Sequence, residues 1–193
     1  MPTQLIYIHG FNSSSLSHKA QLMRQFWQKH QPDAQLSTPD LAPSPDEAIE
    51  QLRALTDQHS HQKTVFVGSS LGGFYATWLA EQLNTKAALI NPAVQPWKLL
   101  DKYTGIQHNY HTGKAWELNP AWVNELHNFA IEKPAYPHNL LLLTQTGDET
   151  LNWQDGWNLY QDCHLYRGLG GSHGFEDFDA FIPLILRFLD ISV

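Results

Sequence analysis

The sequence is short of charge, of basic residues and of cysteine. Charged residues make up 16% of its 193 residues, and 12 Lys and Arg face 19 Asp and Glu, for a net charge of −7. A chain this acidic offers no basic surface for a nucleic acid or an anionic membrane, so we expect neither as a partner. The single cysteine, Cys163, excludes a disulfide within the chain. Small molecules or other proteins are left as partners.

Long apolar runs are missing as well. Near its start the chain has four successive apolar residues, 5–8, with no basic residue before them. A signal peptide needs a basic start and about 7–15 apolar residues, and a membrane-spanning helix needs about 20. We therefore expect a soluble protein of the cytoplasm.

Short apolar runs recur along the chain and alternate with segments of helical periodicity. Six of these runs predict β-strands, at residues 5–8, 34–37, 65–67, 87–90, 140–143 and 163–166. Helices are predicted over about residues 17–30, from Pro45 after the N-cap Ser44, over about residues 71–82, and at the C-terminus. The last helix tolerates Pro183 only in its first turn. This alternation predicts an α/β fold with about six mostly parallel strands and helices on both faces.

The alternation breaks between residues 91 and 139, a stretch rich in proline, tryptophan and tyrosine. Asn119 as N-cap and Pro120 as the first helical residue predict a helix there, and residues 96–103 are a candidate for another. The stretch is too aromatic for a linker, so we interpret about residues 92–137 as a small cap over the sheet edge where the loops gather. We expect a single domain that spans residues 1–193.

The pentapeptide Gly68-Ser69-Ser70-Leu71-Gly72 lies between a predicted strand and a predicted helix. A Gly-x-Ser-x-Gly pattern in this context is typical of a nucleophile elbow, a tight turn that exposes the serine hydroxyl. Both glycines are required because a Cβ would collide with the neighbouring strand or helix. We predict that Ser70 is a nucleophile. The alternative is a turn that only caps a helix or binds an anion.

A serine nucleophile needs a base, and the base needs a group that orients it. Among the 11 histidines, His173 alone lies in a glycine-rich loop, residues 168–174, directly after the last predicted strand. Asp148 follows the strand predicted at residues 140–143, at the same edge of the sheet. The order Ser70, Asp148, His173 is that of the triad in α/β-hydrolases. Two alternatives remain: Glu149 could be the acid, and Asp148 could be the N-cap of the next helix.

An oxyanion hole needs backbone N–H donors close to the nucleophile. In this fold one donor belongs to the residue after the nucleophile, and another to the loop after the first strand. We therefore predict Leu71 and Phe11 as the oxyanion-hole residues. His9, next to Gly10, could be catalytic, but we interpret it as a residue that fixes this loop by hydrogen bonding.

Two pairs of histidines, at residues 59 and 61 and at residues 108 and 111, could suggest a metal site. They lack cysteine or carboxylate neighbours at zinc-ligand spacing. We interpret them as surface residues, and we predict neither a metal nor another cofactor.

Five segments of the sequence, residues 7–14, 68–79, 91–94, 145–149 and 170–173, together resemble the YqiA-type bacterial esterases, a small α/β-hydrolase family of about this length. One departure is Ser172-His173-Gly174-Phe175, where the family pattern is Asn-His-Ala-Phe, and it leaves the histidine in place. Residues 107–119 resemble the family less clearly, so no substrate contacts are carried over there. The resemblance implies a minimal α/β-hydrolase fold and hydrolysis of carboxylic esters, with thioesters as alternative substrates.

We therefore predict a serine esterase that acts on a small-molecule acyl ester or thioester through a Ser-His-Asp triad and an acyl-enzyme intermediate. Because a fold does not determine a function, a non-catalytic protein that binds a small ligand on the same scaffold remains an alternative. A second alternative is another triad hydrolase, such as a peptidase or a C–C hydrolase.

Overall fold

The computed structural model describes residues 3–59 and 61–193 of the chain. The strands in these residues are, in chain order, β1 (Thr3–Ile8), β2 (Gln35–Ser37), β3 (Lys63–Ser69), β4 (Ala87–Ile90), β5 (Gly105–His108), β6 (Ala115–Leu118), β7 (Leu140–Gln145) and β8 (His164–Gly168). The α-helices are α1 (His18–His30), α2 (Pro45–Gln58), α3 (Leu71–Leu83), α4 (Trp97–Leu100), α5 (Pro120–Glu125), α6 (Trp153–Leu159) and α7 (Phe178–Phe188).

Six of the strands form one parallel sheet, in the order β2-β1-β3-β4-β7-β8. They are the six strands that the apolar runs predict, so the expected α/β fold is confirmed. The four leucines at the start of β7 illustrate why apolar and polar residues do not alternate within these strands. Leu140 and Leu142 belong to the core on one face of the sheet, and Leu141 and Leu143 to the core on the other. Both faces are covered, so both sets of side chains are apolar.

Helices cover both faces of the sheet. Residues of α2 and α3 belong to the core on one face, and residues of α1 and α7 to the core on the other. Helix α2 begins as the sequence predicts, with Pro45 in its first turn and Ser44 Oγ accepting a hydrogen bond from the Glu47 N–H. Of the helices in the described residues, none has the length and apolar character that crossing a bilayer requires.

The order of the strands opens a crevice at the carboxyl edge of the sheet. Strand β1 lies between β2 and β3. The chain therefore adds β2 on one side of β1 and then crosses to add β3 on its other side. The loop after β1 leads to α1 on one face, and the loop after β3 leads to α3 on the other. Loops that diverge at such a switch point leave room for a ligand between them.

Residues 91–139 form the insertion between β4 and β7. They contain α4 and α5, which correspond to the two helices predicted there, and Asn119 Oδ1 caps α5 by accepting from the Ala121 N–H at 2.9 Å. They also contain an antiparallel hairpin, β5 paired with β6, which the sequence analysis missed. These strands are four residues long and largely exposed, so they show no apolar run.

The expectation for Pro183 is wrong. This proline is the sixth residue of α7, in the middle of the helix and not in its first turn. A proline there removes one hydrogen bond, to the carbonyl four residues earlier. That residue is Asp179, and it is exposed like Pro183, so water can hydrogen bond the freed carbonyl. Apolar packing of the buried face, with Ile182, Ile185 and Leu186, offsets the lost bond.

Candidate active site

Ser70 lies at the junction of β3 and α3 in a backbone conformation that non-glycine residues avoid. Its φ is 56° and its ψ is −120°. Hydrogen bonds hold this turn on both sides: the Ser70 N–H donates to the Ile90 carbonyl at 3.0 Å, and the Ser70 carbonyl accepts from Gly73 and Ala93. Strained turns of this kind cost about 1–3 kcal/mol and persist only where the surroundings enforce them.

The glycines around Ser70 make this turn sterically feasible. A Cβ on Gly68 would lie 2.8 Å from the Cβ of Ala76, and a Cβ on Gly72 would overlap the backbone carbonyls of Ile8 and His9. These contacts are the collisions that the Gly-x-Ser-x-Gly pattern implies. The strand, the turn and the helix can therefore approach one another only with glycine at both positions.

The structure brings Ser70, His173 and Asp148 together from three separate loops. His173 Nε2 lies 3.1 Å from Ser70 Oγ. His173 Nδ1 lies 2.8 Å from Oδ2 and 3.0 Å from Oδ1 of Asp148. A carboxylate can only accept, so Nδ1 carries the proton and Nε2 is left to accept from the serine hydroxyl. This is the tautomer that a general base for Ser70 requires.

Asp148 is the acid that reaches the histidine ring, and Glu149 is not. The Asp148 side chain is 1% exposed, and its Oδ1 also accepts from the N–H groups of Thr150 and Leu151. Glu149 instead accepts from the backbone N–H of His173 at 2.9 Å, and this hydrogen bond lowers the pKa of Glu149. The N-cap alternative for Asp148 is wrong, because the next helix, α6, is capped by Asn152.

Two buried side chains that the sequence analysis did not select hold the histidine loop. Gln145, the last residue of β7, accepts through Oε1 from the N–H groups of Ser172 and Glu176, at 3.2 and 2.8 Å. Asn91, directly after β4, donates through Nδ2 to the carbonyls of Ser172 and His173, and its Oδ1 accepts from the Gln145 N–H. A polar residue at the carboxyl end of an apolar strand was the signal available in the sequence.

Phe11 follows Gly10 in the loop after β1, and Leu71 directly follows Ser70, and the sequence analysis predicts the backbone N–H groups of both as oxyanion donors. Neither of these groups has an acceptor among the described residues. The loop after β1 approaches Ser70 closely at Gly10, where a Cβ would lie 3.2 Å from the Ser70 Cβ. Phe11, Leu71, Ser70 and His173 all line one cavity.

The loop that carries Phe11 is fastened to the β5–β6 hairpin through Asn12. Asn12 Oδ1 accepts from Trp116 Nε1 at 2.9 Å, and Asn12 Nδ2 donates to Gln107 Oε1 at 3.0 Å. The Asn12 carbonyl accepts from the Tyr110 N–H at 2.8 Å. Asn12 has a φ of 53°, which asparagine tolerates better than most residues. The insertion therefore contacts the loop that would supply one oxyanion donor.

Both ring nitrogens of His9 form hydrogen bonds to the backbone. Its Nδ1 donates to the Gly10 carbonyl at 2.9 Å, and its Nε2 accepts from the Leu41 N–H at 3.2 Å. Burial lowers the pKa of His9, which favours the neutral ring that these two bonds require. The geometry agrees with our interpretation that His9 fixes the loop.

The cavity beside Ser70 has a volume of about 310 Å³. The insertion supplies one wall, through residues of α4 and through Tyr103 and Tyr110, and the loop after β7 supplies another, through Thr150 and Leu151. A second cavity of about 310 Å³ shares Phe11 and Leu71 with the first. In residues 3–59 and 61–193, no group of three or more His, Cys, Asp or Glu side chains is arranged to hold a metal ion.

Solved structures share this architecture. Alpha/beta hydrolase domain-containing protein 10 from mouse has a TM-score of 0.72 and 16% identity, over 97% of this chain and 88% of its own. Est1E from Butyrivibrio proteoclasticus has a TM-score of 0.71 and 13% identity, over 97% and 88%. The monoacylglycerol lipase of Paleococcus ferrophilus has a TM-score of 0.70 and 14% identity, over 97% and 94%. Likeness at such low identity shows the fold, and this chain has the α/β-hydrolase fold.

The family of the chain follows from its sequence. Residues 4–190 match the model of the family described as Uncharacterised protein family (UPF0227). The chain belongs to this family, which is the YqiA family. The resemblance noted in the sequence motifs is thereby confirmed.

Proposed function

We propose that the protein is a serine esterase in which Ser70 is the nucleophile, His173 the base and Asp148 the group that orients His173. One observation carries this proposal: the hydrogen-bond chain that runs from the Ser70 hydroxyl through both ring nitrogens of His173 to the Asp148 carboxylate. The strained conformation of Ser70 supports it, since a protein that only bound a ligand would have no need of a serine on such a turn.

The residues around Ser70 can carry out acyl transfer in two halves. Ser70 Oγ attacks the carbonyl carbon while His173 Nε2 takes the hydroxyl proton, and the N–H groups of Phe11 and Leu71 stabilise the oxyanion. The proton then passes from Nε2 to the leaving alcohol or thiol, and the acyl group remains on Ser70. Water attacks this acyl-enzyme by the same steps and releases the acid.

Small acyl esters are the substrate class that the cavity and the comparisons support. A cavity of about 310 Å³ is at the lower end of the range for ligand sites. The wall supplied by the insertion supports our interpretation of residues 92–137 as a cap on a single domain. One structural neighbour is named as a monoacylglycerol lipase, an enzyme that acts on an ester. Thioesters fit the same mechanism.

Covalent labelling by a fluorophosphonate tests the proposed nucleophile. The wild-type protein should be labelled at Ser70, because only an activated serine reacts with this probe. The Ser70→Ala variant should not be labelled, whereas Ser69→Ala, which changes the adjacent serine, should keep the label. A wild-type protein that resists labelling would favour a non-catalytic binding protein.

A panel of substrates with the same acyl group then separates the hydrolase classes. Esters should be cleaved well and thioesters should be tested beside them, while amides and C–C substrates should be poor. A clear preference for the amide or for the C–C substrate would replace the esterase proposal by one of the other triad chemistries.

A further inference from the structure

Lys19 lies in the catalytic cavity, although neither the sequence motifs nor the proposed mechanism use it. It is the second residue of α1, and its side chain lines the same cavity as Ser70 and His173. Its Nζ donates a hydrogen bond to the carbonyl oxygen of Gly174 at 2.8 Å. Gly174 directly follows His173, so the ammonium lies beside the loop of the proposed base.

No other side chain that is charged while His173 is neutral lines this cavity in the described residues. Among the described residues that line it, Lys19 is the one side chain charged at neutral pH when the imidazole of His173 is neutral, and none is a carboxylate. The other polar side chains are the hydroxyls of Tyr7, Ser13, Ser17, Ser69, Ser70, Tyr103, Tyr110 and Thr150. A protein of net charge −7 therefore presents a cation, and no anion, where the substrate would bind.

No carboxylate of the described residues forms an ion pair with Lys19. Burial lowers the pKa of Lys19 to about 8, and the charge of Asp148 opposes this shift. Both oxygens of Asp148, however, face the ring of His173. An ammonium has three donors, and Gly174 accepts from one of them.

A charge in this position needs an explanation beyond the contact with Gly174. Removing an ammonium from water without a partner is unfavourable, and a neutral amide could donate the same hydrogen bond to a carbonyl. The first turn of α1 contains no acidic residue, and its helix dipole adds positive potential at the same place. The lysine is thus suited to a negatively charged ligand.

We infer that Lys19 binds an anionic group of the substrate, so that the cavity selects esters that carry a carboxylate or a chemically similar anion. This inference rests on the proposed esterase function. Lys19 is then a specificity residue, and it takes no part in breaking the ester bond.

Pairs of esters that differ only in charge test this inference. On the acyl side, the pair is the monoethyl ester of adipic acid and the same ethyl ester in which a carboxamide replaces the free carboxyl group. On the alcohol side, the pair is 4-(carboxymethyl)phenyl butyrate and 4-(carbamoylmethyl)phenyl butyrate. Carboxylate and carboxamide have nearly the same size, so the ratio of their kcat/KM values reports recognition of the charge.

The wild-type protein should prefer the carboxylate member of at least one pair by about tenfold to a hundredfold, the range expected for a hydrogen bond between charged groups. Lys19→Gln and Lys19→Met should bring that ratio close to one. Lys29→Gln is the matched control, because Lys29 is an exposed lysine in the last turn of the same helix. It should keep the wild-type ratio.

Three results would overturn the inference: a wild-type ratio near one in both pairs, a preference that survives in Lys19→Gln and Lys19→Met, or an equal loss on both members of a pair. The last result would make Lys19 a residue that only positions the histidine loop. If neither Lys19 variant folds, the ratio of kcat/KM values measured for the wild-type protein alone decides whether the inference stands. Failure of the esterase proposal has a different signature, since neither pair would then be hydrolysed and Ser70 would not react with the fluorophosphonate.

Discussion

The two edges of the parallel sheet use similar residues for different purposes. At the carboxyl edge, Asn91, Gln145 and Asp148 are shielded from water and hydrogen bond to the loops around the candidate site. At the amino edge, Asp190 pairs with Lys63 and Lys86 at 2.9 Å each, and 57% of its side chain is exposed. Water can replace a lost partner at the amino edge but not at the carboxyl edge. Equivalent substitutions should therefore have very different effects.

The largest effect is expected at the carboxyl edge, for the nucleophile and the base. Ser70→Ala and His173→Ala should each lower kcat by about 10⁴ or more, and the double variant should be little worse, because the two residues act as one unit. Steady-state kinetics on a small aryl ester measures all three variants. Effects that simply multiply in the double variant would contradict the triad.

Asp148→Asn should keep the fold and lower kcat by about 10³ to 10⁴. The N–H groups of Thr150 and Leu151 should hold the new amide oxygen, which turns its NH₂ group toward His173 Nδ1. Nδ1 must then accept, so the ring proton moves to Nε2 and the serine loses its base.

Glu149→Gln is the control for this variant. Its amide oxygen can still accept from the His173 N–H, so a loss of less than about fivefold is expected, since surface changes of this kind are mild. A greater loss of activity in Glu149→Gln than in Asp148→Asn would show that the acid is wrongly assigned.

Two asparagines with similar backbones allow a matched comparison between the edges. Asn12 at the carboxyl edge has a φ of 53°, and Asn84, which ends α3 at the amino edge, has a φ of 46°. Glycine tolerates both conformations, so substitution by glycine removes only the side-chain contacts. Asn12→Gly loses its bonds to Trp116 and Gln107, whereas Asn84→Gly loses one exposed bond, from Asn139.

Asn12→Gly should therefore lower the free energy of unfolding by about 1–3 kcal/mol and kcat/KM by about tenfold or more, because the loop of Phe11 loses its anchor on the hairpin. Asn84→Gly should change stability by less than about 0.5 kcal/mol and leave kcat/KM as it is. Urea unfolding and ester kinetics measure both. Equal effects of the two variants would mean that the hairpin does not support the oxyanion loop.

A small effect, of the same order as that of Asn84→Gly, is expected for Asp190→Asn. Lys86 and Lys63 lower the pKa of Asp190, so its ion pairs stabilise the fold above the pKa of the unfolded chain, and this contribution is lost as pH falls through the lowered folded value. Because the side chain is largely exposed, the loss at neutral pH should be about 0.5 kcal/mol.

Thermal unfolding of the wild type and of Asp190→Asn checks this expectation. The difference between them should shrink in acid and at high salt, and ester hydrolysis should not change. A difference that grows as the pH falls would show that the sign of this linkage is wrong.

Much of the architecture could be predicted because its determinants are local. Apolar runs mark the six strands of the sheet, and Ser44 with Pro45 marks the start of α2. The short strands β5 and β6 carry no such mark, since each has one exposed face and their pairing depends on a distant partner strand. Pro183 shows the same limit, because packing against the core outweighs its local preference for a helix start.

For the candidate site, the sequence by itself determined which residue types follow which strands, and this was sufficient to select Ser70, Asp148 and His173. Only the tertiary structure decided that Asp148 and not Glu149 faces the ring, that Asn91 and Gln145 hold its loop, and that Lys19 enters the cavity. The physical reason is that the order of strands along the chain places loops at an edge. The direction of each side chain at that edge depends on contacts between segments far apart in sequence.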